Sequence, residues 1–179
     1  MDEPARLPPA GTYGTSIPKL VGYLFKAMSW GSVLMFRMGT KIQGRPLARL
    51  QSVGARTGKP RRVILGTFPD EAHSDSLIVV ASNAGAAKHP GWAYNLVSNP
   101  GLVTIDTGDG PVAVDVELLA AEDRGRMWDK VVDMAPGYGR YNEKTDRQIP
   151  LFRLTPRRPN DGFGEDPSGN PRDRQSLES

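Results

Sequence analysis

The turn Thr107-Gly108-Asp109-Gly110 constrains this chain more than any other feature of its sequence. It separates two runs, 102–107 and 111–119, in which apolar and polar residues alternate with period two. The second run puts Val112, Val114, Val116 and Leu118 on one side. Such alternation fits a strand with one buried face, and a short glycine-bearing link between two of them fits an antiparallel hairpin. The same reading extends along the middle of the chain, where 46–54, 61–69, 77–83 and 149–154 also read as strands. In 61–69, Val63, Leu65 and Thr67 share one face, with Ile64 and Phe68 on the other. Segment 77–83 is almost continuously apolar, as in a strand buried on both sides. Helices are predicted at 91–98, 121–134 and 138–146. Six strands, hairpin links and few helices give a mainly β chain of the α+β class, a small antiparallel barrel decorated by helices.

The ends have a different character. Residues 1–16 carry Pro4, Pro8, Pro9, Gly11 and Gly14, so they read as a flexible arm without regular structure. In 17–39, Ile17, Leu20, Val21, Leu24, Met28, Met35 and Met38 follow a helical spacing. Tyr23, Phe25, Trp30, Val33 and Phe36 interleave there with Lys19, Lys26 and Arg37. A basic helix with aromatic flanks can lie in a membrane interface or cover an apolar ligand; more often it packs on its own domain or on a dimer mate. The barrel is expected over 40–155. The last segment, 156–179, has only Phe163 and Leu177 as large apolar residues and is expected to be disordered.

Composition narrows the chemistry. There is no cysteine, which removes disulfides, iron–sulfur clusters, thiolate nucleophiles and cysteine zinc sites. The two histidines, His73 and His89, are too few for a three-histidine metal centre, and no metal site is expected. A net charge of +3 favours a small anionic ligand but is too weak to call for nucleic acid. No signal-peptide pattern and no apolar run of the roughly 18 residues needed for a membrane span occur. A cytoplasmic protein is therefore expected, with peripheral contact on the cytoplasmic face of a membrane through 17–39 as its variant. An enzyme so poor in hydrolytic side chains would rely on a bound coenzyme for the hard chemistry.

Three segments can carry function. In the first, 54–62, four of the seven residues from Arg56 to Arg62 are basic and sit on a strand–turn–strand corner. Gly58 permits the tight turn, and arginine forks grip phosphate or carboxylate oxygens. A solvated hairpin tip is an equally good reading of that corner alone. In the second, 81–96, a buried strand ends in Ser82, Asn83 and Gly85, after which Lys88, His89 and Pro90 lead into a helix carrying Trp92 and Asn95. Small residues let a flat ring approach the backbone, whereas Trp92 by itself reads as core and His89 by itself as structural. In the third, Tyr138 and Tyr141 follow Pro136-Gly137, so that both phenols can enter one cleft, or lie as ordinary interfacial tyrosines. Arg147 reads as part of the end of the preceding helix.

Together these segments resemble the deazaflavin (coenzyme F420)-dependent nitroreductase and quinone reductase family, known from actinobacteria and their relatives. The matching residues are Gly54-x-Arg56-Thr57-Gly58-x-Pro60-Arg61; Val80-Ala81-Ser82-Asn83-x-Gly85-x-x-Lys88-His89-Pro90-x-Trp92-x-x-Asn95-Leu96; Pro136-Gly137-Tyr138-x-x-Tyr141; and Thr145-Asp146-Arg147-x-Ile149-Pro150. The resemblance spans 46–155 and implies a split β-barrel of the flavin-reductase, FMN-binding type. It implies that Arg56, Thr57 and Arg61, with Arg62 and Lys59 nearby, hold the phosphate and acidic tail of coenzyme F420 (8-hydroxy-5-deazaflavin). Val63, Ile64, Ala81, Ser82, Asn83, Trp92 and Asn95 would surround its ring. Tyr138 and Tyr141 would meet the electron acceptor, with Ser82 and Tyr138 polarising its oxygen. The chain departs from the family pattern at several places. Ala55 stands where a second basic residue is common, Ile64 where proline is frequent and Ala84 where glycine is frequent. Gly66 and Ala135 replace tyrosines of the nitroreductase prototype, which enlarges the acceptor pocket. The expected activity is hydride transfer from reduced F420 to a quinone-like, nitro or other electron-poor small molecule. The alternatives are an FMN-binding split-barrel reductase and a non-catalytic cofactor carrier or membrane-surface protein. A homodimer is compatible with such a fold.

Overall fold

The computed structural model describes residues 5–16 and 46–157. The helix expected at 17–39 and nearly all of the tail expected to be disordered lie outside the described residues.

Among the described residues, seven strands form one antiparallel sheet: β1 (Leu47–Val53), β2 (Pro60–Gly66), β3 (Phe68–Pro69), β4 (Leu77–Val80), β5 (Thr104–Asp106), β6 (Pro111–Leu118) and β7 (Leu151–Pro156). Their order is β2-β1-β5-β6-β7-β4-β3. The two edge strands, β2 and β3, are thus consecutive in the chain with Thr67 alone between them. A sheet whose opposite edges are joined by one residue must curl until those edges meet, and this closes it into the expected split β-barrel. Strand β6 divides the sheet on the opposite side, pairing with β5 through 111–113 and with β7 through 114–118. The single strand expected at 61–69 is therefore two. Thr67 still donates its N–H to Pro46 O at 3.1 Å, the next position of the β1–β2 register, and its hydroxyl to the same oxygen at 3.2 Å, but Pro46 has no N–H to return the bond and the ladder ends there.

The predicted hairpin joins β5 to β6, with Asp106 opposite Pro111. Asp106 Oδ1 accepts the Gly108 and Gly110 N–H groups at 2.9 and 3.3 Å. Both glycines have positive φ, +130° and +107°, where a side chain would be strained. Helices α1 (Gly91–Ser98) and α2 (Ala121–Met134) match their sequence bounds. The third expected helix is shorter: a 3-10 turn at Pro136–Tyr138 runs into α3 (Gly139–Glu143).

Strands β4 and β7 are buried on both faces. Val79, Phe152 and Leu154 join Ala48, Leu50, Ile105 and Val114 in a first core that α1 completes with Ala93 and Leu96. Ile78, Val80 and Leu151 point the other way, into a second core with Phe68 and with Met127, Trp128 and Val131 of α2. Alternation between two apolar environments is why 77–83 reads as a continuous apolar run. Strand β4 nevertheless stops at Val80, earlier than expected, and the backbone turns into a loop from 81 to 89.

Residues 5–16, expected as a loose arm, have no regular structure and lie along the body as a strap. Gly11 and Thr15 N–H donate to Ala87 and Gly85 O at 2.9 and 2.8 Å. Asp146 accepts from the Thr12 N–H at 2.9 Å and the Thr12 hydroxyl at 2.6 Å. A Cβ at Gly14 would lie 2.2 Å from Ala87 N, so the approach depends on glycine there.

Candidate functional site

The turn between β1 and β2 is built by Gly54 and Gly58. Gly54 O accepts the Thr57 and Gly58 N–H groups at 3.1 and 2.8 Å, and Gly54 N–H donates to Lys59 O at 2.9 Å. Gly58 has φ +62°, as the tight turn requires. The turn exposes Arg56, Thr57 and Lys59, and Arg61 and Arg62 follow on β2. Thr57 Oγ1 accepts from Lys59 N–H and Arg61 Nη2 at 3.4 and 3.5 Å, while Arg62 Nε donates to Gln51 Oε1 at 2.8 Å. No described carboxylate pairs with these four cations. Asp106 is held by Arg49, Asp70 and Glu117 by Arg153, Asp115 by Arg157 and Asp123 by Arg126. The corner is thus a concentrated positive charge that the described protein leaves uncompensated.

Helix α1 stands against this turn. Asn95 is 9% exposed; its Oδ1 accepts Ala55 N–H at 3.0 Å and its Nδ2 donates to Ser52 Oγ at 3.3 Å. Asn99 Nδ2 adds a bond to Val53 O at 3.2 Å. The Asn95 amide is therefore occupied at both ends in fixing the turn to the helix. Two cavities border Asn95 and share Arg61 and Gly91. One, of about 290 Å³, is walled by Ser52, Arg62, Val63 and Trp92. The other, of about 500 Å³, is walled by the turn from Gly54 to Thr57 and by Tyr94 and Ser98. Trp92 also meets Phe152, ring centres 5.7 Å apart, so one indole serves both core and cavity wall.

The structure thus brings Arg56, Thr57, Arg61, Arg62, Val63, Trp92 and Asn95 together, and it places the other candidates elsewhere. Ile64 and Gly66 lie along β2 opposite Arg49 and Leu47, outside the lining of both cavities. Ala81 is fully buried in the first core. Ser82 and Asn83 begin the 81–89 loop, where Asn83, Ala84 and Gly85 take consecutive positive φ values of 46°, 53° and 77°. Asn83 Nδ2 closes that loop on Lys88 O at 2.8 Å. Tyr138 packs edge-on against both Phe68 and Tyr141, at 5.5 and 5.4 Å, and both tyrosines border the second core.

Sequence reasoning missed Tyr94 and Arg147. Tyr94 lies on α1 between Trp92 and Asn95, two residues already singled out, and its place next to the basic turn was within reach. Arg147 was not: it acts on residues some sixty positions earlier, across the fold. It packs around His89, which is buried; Arg147 Nη1 donates to His89 Nδ1 at 3.1 Å, so His89 Nε2 carries the proton donated to Pro8 O at 2.9 Å. Burial pushes the His89 pKa below the usual histidine range; the bond to Pro8 opposes the shift and the Arg147 charge reinforces it. His89 is a neutral strut.

The sequence profile of the F420H(2)-dependent quinone reductase family matches residues 31–156. An F420H(2)-dependent quinone reductase of Mycobacterium tuberculosis is 34% identical over 125 residues, covering 68% of this chain and 81% of the relative. Among solved structures, an F420-H2 dependent reductase, FDR-A, superposes with a TM-score of 0.54 at 34% identity, covering 62% of this chain and 94% of that one. A second, described as a domain-swapped dimer, gives the same TM-score of 0.54 at 30% identity, covering 73% of this chain and 98% of that one.

Proposed function

The chain belongs to the F420H(2)-dependent quinone reductase family, and on that premise we propose that it passes a hydride from reduced coenzyme F420 to a quinone-like or other electron-poor acceptor. The observation that carries this reading is the pair of cavities meeting at Arg61 and Asn95. One has an aromatic and an apolar wall, Trp92 and Val63; the other has the uncompensated cations of the turn. That combination suits a ligand with a flat ring at one end and a phosphate and carboxylates at the other, as the deazaflavin coenzyme has.

When bound, reduced F420 supplies the hydride. Arg56, Arg61 and Arg62, with Thr57, would hold the anionic tail by charge-assisted bonds, each worth on the order of 1.5–3 kcal/mol. Val63 and Trp92 would orient the ring and keep water from it. Ser82 and Tyr138, which line neither cavity, are the candidates for polarising the acceptor oxygen, with the returning proton from Tyr138 Oη or from water and with Tyr141 beside Tyr138. A pair of chains, as in the domain-swapped relative, is compatible with this arrangement.

Fluorescence titration with oxidised F420 beside FMN tests the reading. Saturable micromolar binding of F420, with weak or no binding of FMN, is expected, followed by quinone reduction with reduced F420. Preference for FMN would overturn the cofactor assignment, and binding of neither would overturn the enzyme reading. Tyr138→Phe is expected to lower turnover more than it weakens coenzyme binding.

A further inference from the structure

The inward face of β1 runs Ala48, Leu50, Ser52, because alternate residues of a strand point to the same side. The first two are packed in the first core. At the third, where the pattern calls for another apolar residue, stands a hydroxyl. Ser52 is only 2% exposed and forms part of the wall of the smaller cavity beside Asn95. Buried polar groups need partners, and a serine hydroxyl has one proton to give as well as lone pairs that accept.

The bonds around Asn95 settle which of these Ser52 has already used. The Ala55 N–H can only donate, so the Asn95 oxygen faces it, at 3.0 Å, and the Asn95 nitrogen faces Ser52 Oγ, at 3.3 Å. An amide nitrogen donates and does not accept. Ser52 Oγ is therefore the acceptor in that bond, and its own proton is left over. Among the described residues no acceptor takes it. The space that adjoins the hydroxyl is the cavity of about 290 Å³ whose wall it forms.

The place of Ser52 within the pair of cavities decides which part of a ligand it meets. Arg61, Gly91 and Asn95 border both cavities, whereas Ser52 borders only the smaller one, with Arg62, Val63 and Trp92. It stands at the end with the flat apolar walls, apart from Arg56 and Thr57 of the turn. We infer that Ser52 is a binding residue of the ring cavity: its hydroxyl, held by Asn95, donates to an acceptor atom of the bound heterocycle, a carbonyl oxygen or a ring nitrogen. The inference deepens the proposed F420 function and rests on it.

The test compares F420 with the corresponding deazaflavin riboside, which has the same ring and neither phosphate nor carboxylates. Ser52→Ala removes the donor, but it also removes the acceptor of the Asn95 nitrogen, and the two ligands separate these effects. With the hydroxyl on the ring, both dissociation constants rise by the same factor, about fivefold for one neutral hydrogen bond, and salt leaves that factor unaltered. If Ser52 only steadies the basic turn through Asn95, F420 alone binds more weakly. That result, or unchanged affinity for both ligands, would overturn the inference. The absorption band of bound oxidised F420 should also differ between wild type and Ser52→Ala, and an identical band overturns it too. Ser52→Thr keeps the hydroxyl and should bind both ligands nearly as the wild type does; a loss equal to that of alanine counts against the inference. Where alanine prevents folding, Ser52→Cys fills the same space with a weak donor and gives the same comparison. Wild-type protein that binds F420 but not the riboside overturns the inference alone. Wild-type protein that binds neither overturns the functional reading and the inference with it.

Discussion

The Ala55 N–H donates to Asn95 Oδ1 at 3.0 Å, which fastens the basic turn to helix α1 across 40 positions of sequence. The same amide reaches Ser52 Oγ, a hydroxyl that is only 2% exposed as a residue. Truncation therefore removes two bonds and strands a buried hydroxyl. Asn95→Ala should lower stability by about 1–2 kcal/mol and loosen the turn enough to weaken coenzyme binding. Denaturant unfolding and a coenzyme titration on the same sample check both. An unchanged midpoint would place the anchoring of the turn in Asn99 instead.

Arg61 lies where the two cavities join and has only a long bond, 3.5 Å, to Thr57. Arg61→Ala should leave the melting temperature nearly unaltered, because an exposed and unpaired cation contributes little to folding. Coenzyme affinity should fall about tenfold at low salt, one charge-assisted bond's worth, and by less at high salt where screening has already weakened the contact. Titrations at two ionic strengths read this. Equal losses at both would argue that Arg61 acts through shape and not charge.

Ala84 occupies a left-handed conformation, φ 53°, in the loop that Arg147 holds. An L-residue there costs roughly 1–2 kcal/mol, and glycine avoids that cost while losing part of the gain to the greater freedom of the unfolded chain. Ala84→Gly should stabilise the protein by about 0.5–1 kcal/mol, measured by thermal unfolding. Destabilisation would mean that the unfolded-chain term outweighs the relief of strain.

His89 provides a pH signature. Its neighbours are Arg147, the Pro8 carbonyl and the Tyr94 ring at 6.0 Å, and its folded pKa is lowered, first by burial. Above about pH 6.5 the histidine is neutral in both states, so its full contribution is present. Below that the unfolded chain takes up the proton first, and stability falls until the folded histidine also protonates. Asp70 and Asp106 also have lowered pKa values: burial raises them, and the bonds from Arg153 and Ala72 and from Gly108, Gly110 and Arg49 outweigh it. Their contribution is lost only below about pH 4, so the windows separate. Unfolding free energy followed from about pH 7 to 5 should decline. His89→Gln should flatten that decline while leaving the acid limb below about pH 4 in place. A decline of equal steepness in the variant would assign it to another group.

Much of the fold was legible because its signals are local. Alternation across Pro111–Leu118, the glycines at 108 and 110 and the apolar stripe of Ala121–Met134 each specify their own few residues. The basic turn was legible for the same reason, since Gly58 and its neighbouring cations are contiguous. The match to the family was visible in four short motifs in the right order.

Local pattern was enough for the β5–β6 hairpin, helices α1 and α2, the approximate places of the other strands and the chemistry of the turn between β1 and β2. Tertiary structure alone decided that β2 and β3 are opposite edges meeting at Thr67, that the 5–16 strap lies on the 81–89 loop, that Asn95 braces the turn, and that Arg147 reaches back to Ala81 and Ser82. Periodicity and turn chemistry are written in neighbouring residues. A hydrogen bond between residues sixty positions apart leaves no period in the chain, and it exists only once the burial of both partners has removed water as the competing partner.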